Sequence, residues 1–244
     1  MNTVRLIALV NRKFTYREHG DEKYSIGTVR YNRPGNTNKY DIIPVIVRGN
    51  NAAEVSNIDP GCLIAIKNAY LQTRTVEESG KTLYITEVVA YGAAFLIDPP
   101  AADGEYDSLM DNSICLTGRW TKDLLLKYTP SSIAVCTGSL AVDRYKSSEK
   151  QTDFFPIVLF DKQAESTSKH TSKGYLVGLE GRIQVRNYQK DGVNRIITEI
   201  ATNKIDFLSK PFNGKNNNGG ASNYNNSNNT PFNEVPFNED DLPF

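Results

Sequence analysis

Residues 152–160 of the chain read TDFFPIVLF, and this stretch has a counterpart at residues 40–48, which read YDIIPVIVR. Both are short apolar runs containing Ile and Val, a composition typical of β-strands. Asp153 lies 112 positions after Asp41, and Pro156 lies 112 positions after Pro44. These shared landmarks indicate that the same kind of strand occurs twice, once in each half of the chain.

The separation of 112 positions continues beyond this strand. It also holds for three further pairs of residues: Gly80 and Gly192, Glu87 and Glu199, and Phe95 and Phe207. A constant offset across separated landmarks indicates two versions of one unit of roughly 100 residues. We therefore predict four segments: a divergent first domain at 1–97, an acidic linker at 98–111, a second domain at 112–209 and a tail at 210–244.

Each unit is predicted to be all-β, because short runs of Ile, Val, Thr and Tyr alternate with Gly, Pro, Asn and Asp. In the second unit these runs are 114–119, 133–144, 154–160, 175–188 and 194–201. The stretch KDGVN at 190–194 carries the Asp-Gly signal of a tight hairpin. Residues 162–170 favour a short helix between the third and fourth strands. Five strands with a helix at that place describe an OB-fold, although the pattern leaves other small barrels open.

The fold class predicted for the whole chain is therefore all-β, with two five-stranded OB-fold barrels in tandem. The stretch 209–237 contains mostly Asn, Gly and Ser with almost no aliphatic side chains. A segment of this composition cannot bury enough apolar surface to fold. We expect a disordered C-terminal tail after the second barrel.

The charge of the chain is balanced overall, with 28 basic and 28 acidic side chains, but it is unevenly distributed. Residues 1–97 carry a net charge of +3 and residues 112–210 carry +5, whereas the linker and the tail are acidic. Two mildly basic bodies permit a polyanionic partner without requiring one.

The sequence contains no pattern that predicts catalysis, a metal or a cofactor. Its three cysteines lack CxxC spacing, and His19 and His170 stand alone, so neither a disulfide framework nor a zinc site is indicated. No apolar run approaches the roughly 18 residues of a membrane span. We expect a cytoplasmic protein without an enzymatic role or a membrane partner.

The second unit is predicted to place aromatic and cationic side chains on the outside of its barrel. Alternate residues of a strand point to opposite faces, so Phe154 and Phe160 lie opposite the core residues of 154–160. By the same alternation Arg182, Arg186 and Tyr188 point outward while Ile183 and Val185 point inward. Cations that follow phosphates and rings that stack on bases suit single-stranded nucleic acid. The alternative for Phe154 and Phe160 is a strand buried on both faces.

Other candidate residues are less specific. Arg119 and Lys127 lie in GRWTKDLLLKYTP, where basic side chains could contact a strand or only keep a loop in water. Trp120 could be a plug of the barrel or a platform for a base. In the first unit Arg48 and Arg74 are the cations that could contact a bound strand.

The stretch from 112 to 208 closely resembles the bacterial single-stranded DNA-binding (SSB) proteins. The resemblance rests on the elements YTPS, SLAV.R, TDF.P…F, KG..V..EGR.Q.R.Y and TE, which occur in the order and spacing of that family. It implies that bases stack at four positions of this chain: Tyr145, Phe154, Phe160 and Tyr188. The first unit departs from the pattern, since Ile42, Arg48 and Val76 stand where the second has Phe154, Phe160 and Tyr188.

The last residues of the sequence, DDLPF, resemble the acidic tip of the SSB family. This resemblance implies that Asp240, Asp241, Leu242, Pro243 and Phe244 recruit proteins of DNA replication, recombination and repair. Relatives with two OB-folds per chain form homodimers, which we expect here. The predicted function is sequence-independent binding and protection of single-stranded DNA. An RNA-binding OB-fold protein is the alternative, because base stacking does not distinguish the sugars.

Overall fold

The computed structural model describes residues 1–35, 39–78, 81–91, 94–97, 106–146, 149–190 and 192–211. By their contacts the described residues form two compact units. The first unit comprises Asn2–Cys115 with Arg182–Val185, and the second comprises Leu116–Gly181 and the described residues from Arg186 onward, with Met1. The predicted domain boundaries remain predictions, and most of the predicted linker and tail lies outside the described residues.

Strands account for most of the described chain, as the sequence predicts. In the first half they are β1 (Asn2–His19), β2 (Glu22–Asn32), β3 (Tyr40–Arg48), β4 (Leu63–Glu78), β5 (Lys81–Tyr91) and β6 (Ala94–Ile97). In the second half they are β7 (Asp111–Trp120), β8 (Leu125–Tyr128), β9 (Ala134–Lys146), β10 (Glu149–Phe160), β11 (Leu176–Lys190) and β12 (Val193–Ser209). The helices are α1 (Ala52–Val55), a 3₁₀ turn (Asp107–Leu109) and α2 (Asp161–His170).

The strand pairing closes a ring in each half of the chain. In the first ring β1 pairs with β2 and β4, β2 with β3, and β5 with β3 and β4. In the second ring β7 lies between β9 and β11, and β12 lies between β10 and β11. The third and fifth strands of each ring pair in parallel, at Val45 with Val88 and at Ile157 with Ile200. These parallel pairs recur at the offset of 112 read from the sequence, and the ring order with a helix after the third strand is that of an OB-fold.

The elements predicted for the second unit are found, with longer strands. Helix α2 begins one residue before the predicted 162–170. The Asp-Gly connection joins β11 to β12 with Gly192 at a φ of 72°, while Asp191 lies outside the described residues. Strand β8 is not predicted from the sequence, because its four residues sit among lysines in a stretch that reads as a loop. None of the described helices has the length and apolar character that crossing a bilayer requires.

The interior of the second barrel contains the residues that the alternation assigns to it. Phe155, Ile157 and Leu159 are at most 1% exposed, so the predicted inward face of β10 is confirmed. Trp120 is 1% exposed, which makes it a core residue rather than a platform for a base. A packed interior of large apolar side chains provides most of the stabilisation of such a small barrel.

The turn from the third strand into the helix requires a left-handed backbone in both units. Gly49 has a φ of 85° at this turn, and Asp161, 112 positions later, has a φ of 51°. A left-handed backbone is strained for a residue with a Cβ atom, whereas glycine adopts it freely. The second unit therefore carries a local strain that the first unit avoids.

Replacing Asp161 tests this strain. We expect the D161G variant to be more stable than the D161A variant by about 1–2 kcal/mol, because alanine has the Cβ penalty and no local hydrogen bond to offset it. The free energy of unfolding in urea, followed by the fluorescence of Trp120, measures the difference. Equal stability of the two variants would contradict the assignment of a left-handed backbone.

Candidate nucleic-acid interface

The outer face of β9 and β10 brings together a predicted cation and a predicted aromatic ring. Arg119 of β7 lies opposite Ala141 of β9, and Ala141 lies opposite Phe154 of β10. Directly opposed residues present their side chains on the same face of a sheet, so Arg119 and Phe154 flank the small Ala141. Two strand spacings separate their Cα atoms by about 10 Å. Phe154 is half-buried.

A second row of the same kind crosses this face. Lys127 of β8 lies opposite Val135, and Val135 lies opposite Phe160. Val135 and Ala141 are six residues apart on β9, which is about 20 Å along the strand. The face therefore carries two rows, each with a cation at one end and a phenylalanine at the other. We call this surface the β9–β10 face.

Tyr145 extends the β9–β10 face toward the hairpin that joins the two strands. It lies opposite Lys150, and 75% of the residue is exposed. The ammonium group of Lys150 pairs with Asp143 at 2.9 Å. Lys150 is a cation that was not predicted from the sequence, and the register of this hairpin is the signal that places it beside the predicted Tyr145.

The two predicted cations of these rows have different surroundings. Arg119 is half-buried, and its Nη1 donates a hydrogen bond to the carbonyl oxygen of Gly174 at 2.8 Å. Lys127 is exposed on the edge strand β8. Lys127 can therefore move toward a ligand, whereas the hydrogen bond holds Arg119 in one orientation.

Phe160 differs from its prediction. It lies on the outer side of β10 as predicted, but it is 7% exposed and packs with Val135, Val158 and Ala201. The prediction that this ring is displayed on the surface is wrong, and the alternative of a strand covered on both faces holds for this end of β10. Val135 of β9 and Ala201 of β12 cover it, because the neighbouring strands bring aliphatic side chains to the same face.

Arg186 is likewise buried rather than displayed. Its Nε and Nη2 donate to the two carboxylate oxygens of Glu199 at 2.8 and 3.1 Å, and the two side chains are 1% and 3% exposed. Gln184, two residues earlier, is also buried. The prediction of a wet outer face along this part of β11 is wrong, because the side chains of β12 pair with those of β11 there.

Arg182 belongs to the first unit and is also largely covered. Its side chain is 11% exposed. The guanidinium donates to Gln184 Oε1 at 2.7 Å and lies 3.6 Å from the buried carboxylate of Asp41. The prediction that Arg182 is an exposed cation is therefore wrong. Tyr188, further along β11, is half-buried and keeps part of its ring in contact with solvent.

The buried arginine–glutamate pair of the second unit recurs in the first. Arg74 Nε donates to Glu87 Oε1 at 2.8 Å, and these residues precede Arg186 and Glu199 by 112 positions. Glu87 is 2% exposed, but Arg74 retains 41% exposure. The repeated pair shows that these two predicted cations fasten the fourth strand to the fifth. Arg48, the remaining predicted cation of the first unit, pairs with Glu22 at 2.9 Å.

The described residues contain no group of three or more His, Cys, Asp or Glu side chains that could hold a metal ion. The three cysteines are thiols rather than disulfides. Burial raises the pKa of Cys136 to about 12, so this thiol stays protonated at neutral pH and is a poor nucleophile.

The sequence of the second half of the chain matches proteins of one family. The model of the single-strand binding protein family matches residues 111–208. Single-stranded DNA-binding protein 3 of Clostridium acetobutylicum is 46% identical over 110 residues, which are 43% of this chain and 76% of that protein. The single-stranded DNA-binding protein of Clostridium tetani is 48% identical over 101 residues, 40% of this chain and 70% of that protein.

A solved structure has the same fold over most of the chain. The crystal structure of the wild-type single-stranded DNA binding protein from Thermus aquaticus superimposes with a TM-score of 0.68 and 20% identity, and it covers 91% of this chain and 98% of that one. The paired-strand rings and the identity to the clostridial proteins lead to one conclusion: the chain belongs to the single-strand binding protein family.

Proposed function

We propose that this protein binds single-stranded DNA without sequence preference, through the β9–β10 face of its second unit. The observation that carries the proposal is the row Arg119–Ala141–Phe154 on this face, with the exposed Tyr145 and Lys127 on the same side of the sheet. The names of the related proteins support the same ligand.

The chemistry of the face fits a flexible polyanion with exposed bases. Stacking of a base on an aromatic ring is sequence-tolerant, because every base has a flat π surface. Cations beside the rings neutralise phosphates and release counterions. In this proposal Tyr145, Phe154 and Tyr188 supply the exposed rings, and Arg119 and Lys127 supply charge. Phe160 packs beneath the face and supports it, and Arg182 and Arg186 hold β11 in place through their ion pairs.

Removing individual rings tests the proposal. We expect the F154A and Y145A variants to bind oligo(dT) about 5-fold to 100-fold more weakly than the parent protein, because each loses a stacked base. The anisotropy of a fluorescein-labelled oligonucleotide measures the affinity.

Tyr128 provides a matched control for these variants. It is 59% exposed, and it adjoins Lys127 on β8 and therefore points to the opposite face. The Y128A variant should bind oligo(dT) as the parent does. Equal binding by all three variants would contradict the assignment of the β9–β10 face.

The choice between DNA and RNA and the contribution of charge are measured in the same assay. Competition between poly(dT) and poly(U) distinguishes a DNA-binding protein from an RNA-binding one.

For single strands the logarithm of the binding constant falls with the logarithm of the salt concentration, with a slope of about −0.7 per neutralised phosphate. A K127A variant should lower this slope by roughly one phosphate equivalent.

The proposal includes partner recruitment by Asp240–Phe244, and assembly of two chains into a homodimer. The resemblance of DDLPF to the acidic tip of the SSB family supports the first, and the tandem units support the second. Binding of a peptide with this sequence to replication and repair enzymes tests recruitment, and the mass in solution tests assembly. We also propose that the protein acts in the cytoplasm and catalyses no reaction, which an assay for metal-dependent DNA cleavage checks.

A further inference from the structure

One cation of the β9–β10 face is held by the turn that leads from α2 into β11. The Nη1 of Arg119 donates a hydrogen bond to the carbonyl oxygen of Gly174 at 2.8 Å. Two backbone hydrogen bonds fasten this turn to the end of β7. The N–H of Gly174 donates to the carbonyl oxygen of Trp120 at 2.8 Å, and the N–H of Trp120 donates to that of Tyr175 at 3.1 Å. We call residues 172–175 the Gly174 turn. The oxygen that orients Arg119 is therefore fixed to the strand that carries Arg119.

Pro211 packs on the Gly174 turn. A Cβ atom placed on Gly174 would lie 3.3 Å from the Cβ of Pro211, and Gly174 has a φ of 84°. Both the close contact and the left-handed backbone disfavour any residue other than glycine at this position. Pro211 is half-buried and comes two residues after Ser209, where β12 ends. The chain that leaves the last strand therefore contacts the residue whose carbonyl oxygen orients Arg119.

The first unit contains the same turn without the cation. The N–H of Gly61 donates to the carbonyl oxygen of Val10 at 2.8 Å, and the N–H of Val10 donates to that of Cys62 at 2.8 Å. Gly61 has a φ of 91°, and no atom of the described residues lies within 4 Å of a Cβ placed there. Leu9, which has no side-chain hydrogen-bond donor, stands where the second unit has Arg119. The turn itself thus belongs to the barrel, whereas the second unit adds an arginine and a proline to it.

A guanidinium with a fixed orientation suits a phosphate ligand. The group is planar and its donors have a rigid arrangement, so a hydrogen bond at Nη1 sets the direction of the whole group. A long side chain that is ordered before binding loses less freedom when the ligand arrives. Arg119 shares its row with Phe154, so the ordered cation lies on the same side of the sheet as a ring that can stack on a base.

We propose that Gly174 and Pro211 are positioning residues for single-stranded nucleic acid. Pro211 keeps the Gly174 turn in place, and the carbonyl oxygen of Gly174 orients Arg119 toward a phosphate of the bound strand. The inference rests on the proposed function of the β9–β10 face and assigns part of it to residues that act only through Arg119. The affinity of this face consequently depends on how the chain leaves β12.

A double-mutant cycle in the full chain tests this role. The G174A variant should bind oligo(dT) about three-fold to ten-fold more weakly than the parent, because the added Cβ displaces the turn and releases Arg119. In the R119A background the same substitution should change the affinity by less than about two-fold, because the side chain that it positions is gone. A merely structural role of Gly174 would lower the affinity equally in both backgrounds. The anisotropy of a fluorescein-labelled oligonucleotide measures the four affinities.

The P211G variant tests the same link without strain at the turn. It should bind oligo(dT) about three-fold more weakly than the parent, because the Gly174 turn loses its support. In the R119A background P211G should again change the affinity by less than about two-fold. Pro211 lies beyond the last strand, so this variant keeps the barrel and decides the question if G174A does not fold.

The G61A variant is the matched control. It introduces the same backbone strain into the same turn of the first unit, where leucine replaces the arginine, and it should bind oligo(dT) as the parent does. Equal losses of affinity in the parent and R119A backgrounds would overturn the inference. So would parental affinity of both G174A and P211G, parental affinity of R119A, or a loss in G61A as large as that in G174A. Failure of the parent protein itself to bind oligo(dT) would instead overturn the proposed function.

Discussion

The R186A variant is expected to lose about 3–5 kcal/mol of unfolding free energy, because it leaves the carboxylate of Glu199 buried without its cation. The pair is bidentate and almost inaccessible to water, with both side chains at most 3% exposed. Transfer of an unpaired charge into such a site has a large desolvation cost. Trp120 lies in the same unit and is the one tryptophan of the chain, so its fluorescence in urea reports the loss.

Two further variants separate the buried charge from the packing of Arg186. The double variant R186M/E199L should recover most of the lost stability, because it replaces both charges with apolar groups. The R74A variant should lose less than R186A. Arg74 is 41% exposed, and Glu87 keeps a hydrogen bond from Gln72 at 2.8 Å. Wild-type stability of R186A would show that Arg186 is a surface cation, as the sequence suggests.

The F160A variant is expected to lose about 3–5 kcal/mol of unfolding free energy, the usual cost of truncating a buried phenylalanine. Phe160 is 7% exposed and contacts Val135, Val158 and Ala201. The cavity left by its ring would lie at the junction of β10 with α2. The midpoint of urea unfolding, again followed by Trp120, measures this loss.

Phe154 is the matched control for Phe160, since both rings lie on the same side of β10. Phe154 is half-buried, so F154A should lose less stability than F160A but more affinity for oligo(dT). The opposite ranking, in which F160A retains its stability and loses most of its affinity, would mean that Phe160 is a base platform. Measuring both quantities on both variants decides between packing and stacking at each ring.

The two copies share their buried ion pairs and differ on their outer faces. The buried acids Asp41 and Asp153 are both paired with arginine, to Arg33 and Arg144 respectively. By contrast, the outer faces differ: phenylalanines stand in the second copy where the first has Ile42 and Arg48. The interior is constrained by close packing and by the cost of an unpaired buried charge. The exposed part of the outer face has no such constraint, so it can acquire a different binding chemistry.

Much of the fold could be predicted from the sequence, because strand faces and short helices are determined by residues that are close together in the chain. The offset of 112 positions identified the repeat, alternation identified Phe155, Ile157 and Leu159 as core, and the polar stretch 162–170 identified helix α2. Strand β8 was missed because four residues among lysines carry too little periodic signal. The alternation of β10 also placed Phe154 and Phe160 correctly on one face.

Only the tertiary structure decided which residues of that face meet water. Alternation tells on which side of a strand a residue lies, but the exposed fraction depends on the neighbouring strands and their register. Phe160 is covered by residues from β9 and β12, and Arg186 by its partner on β12. On the outer face of the first unit, Tyr24, Arg48, Tyr91 and Tyr70 come from four strands and are up to 67 positions apart. A single sequence determines the faces of its strands, whereas long-range pairing determines what those faces present.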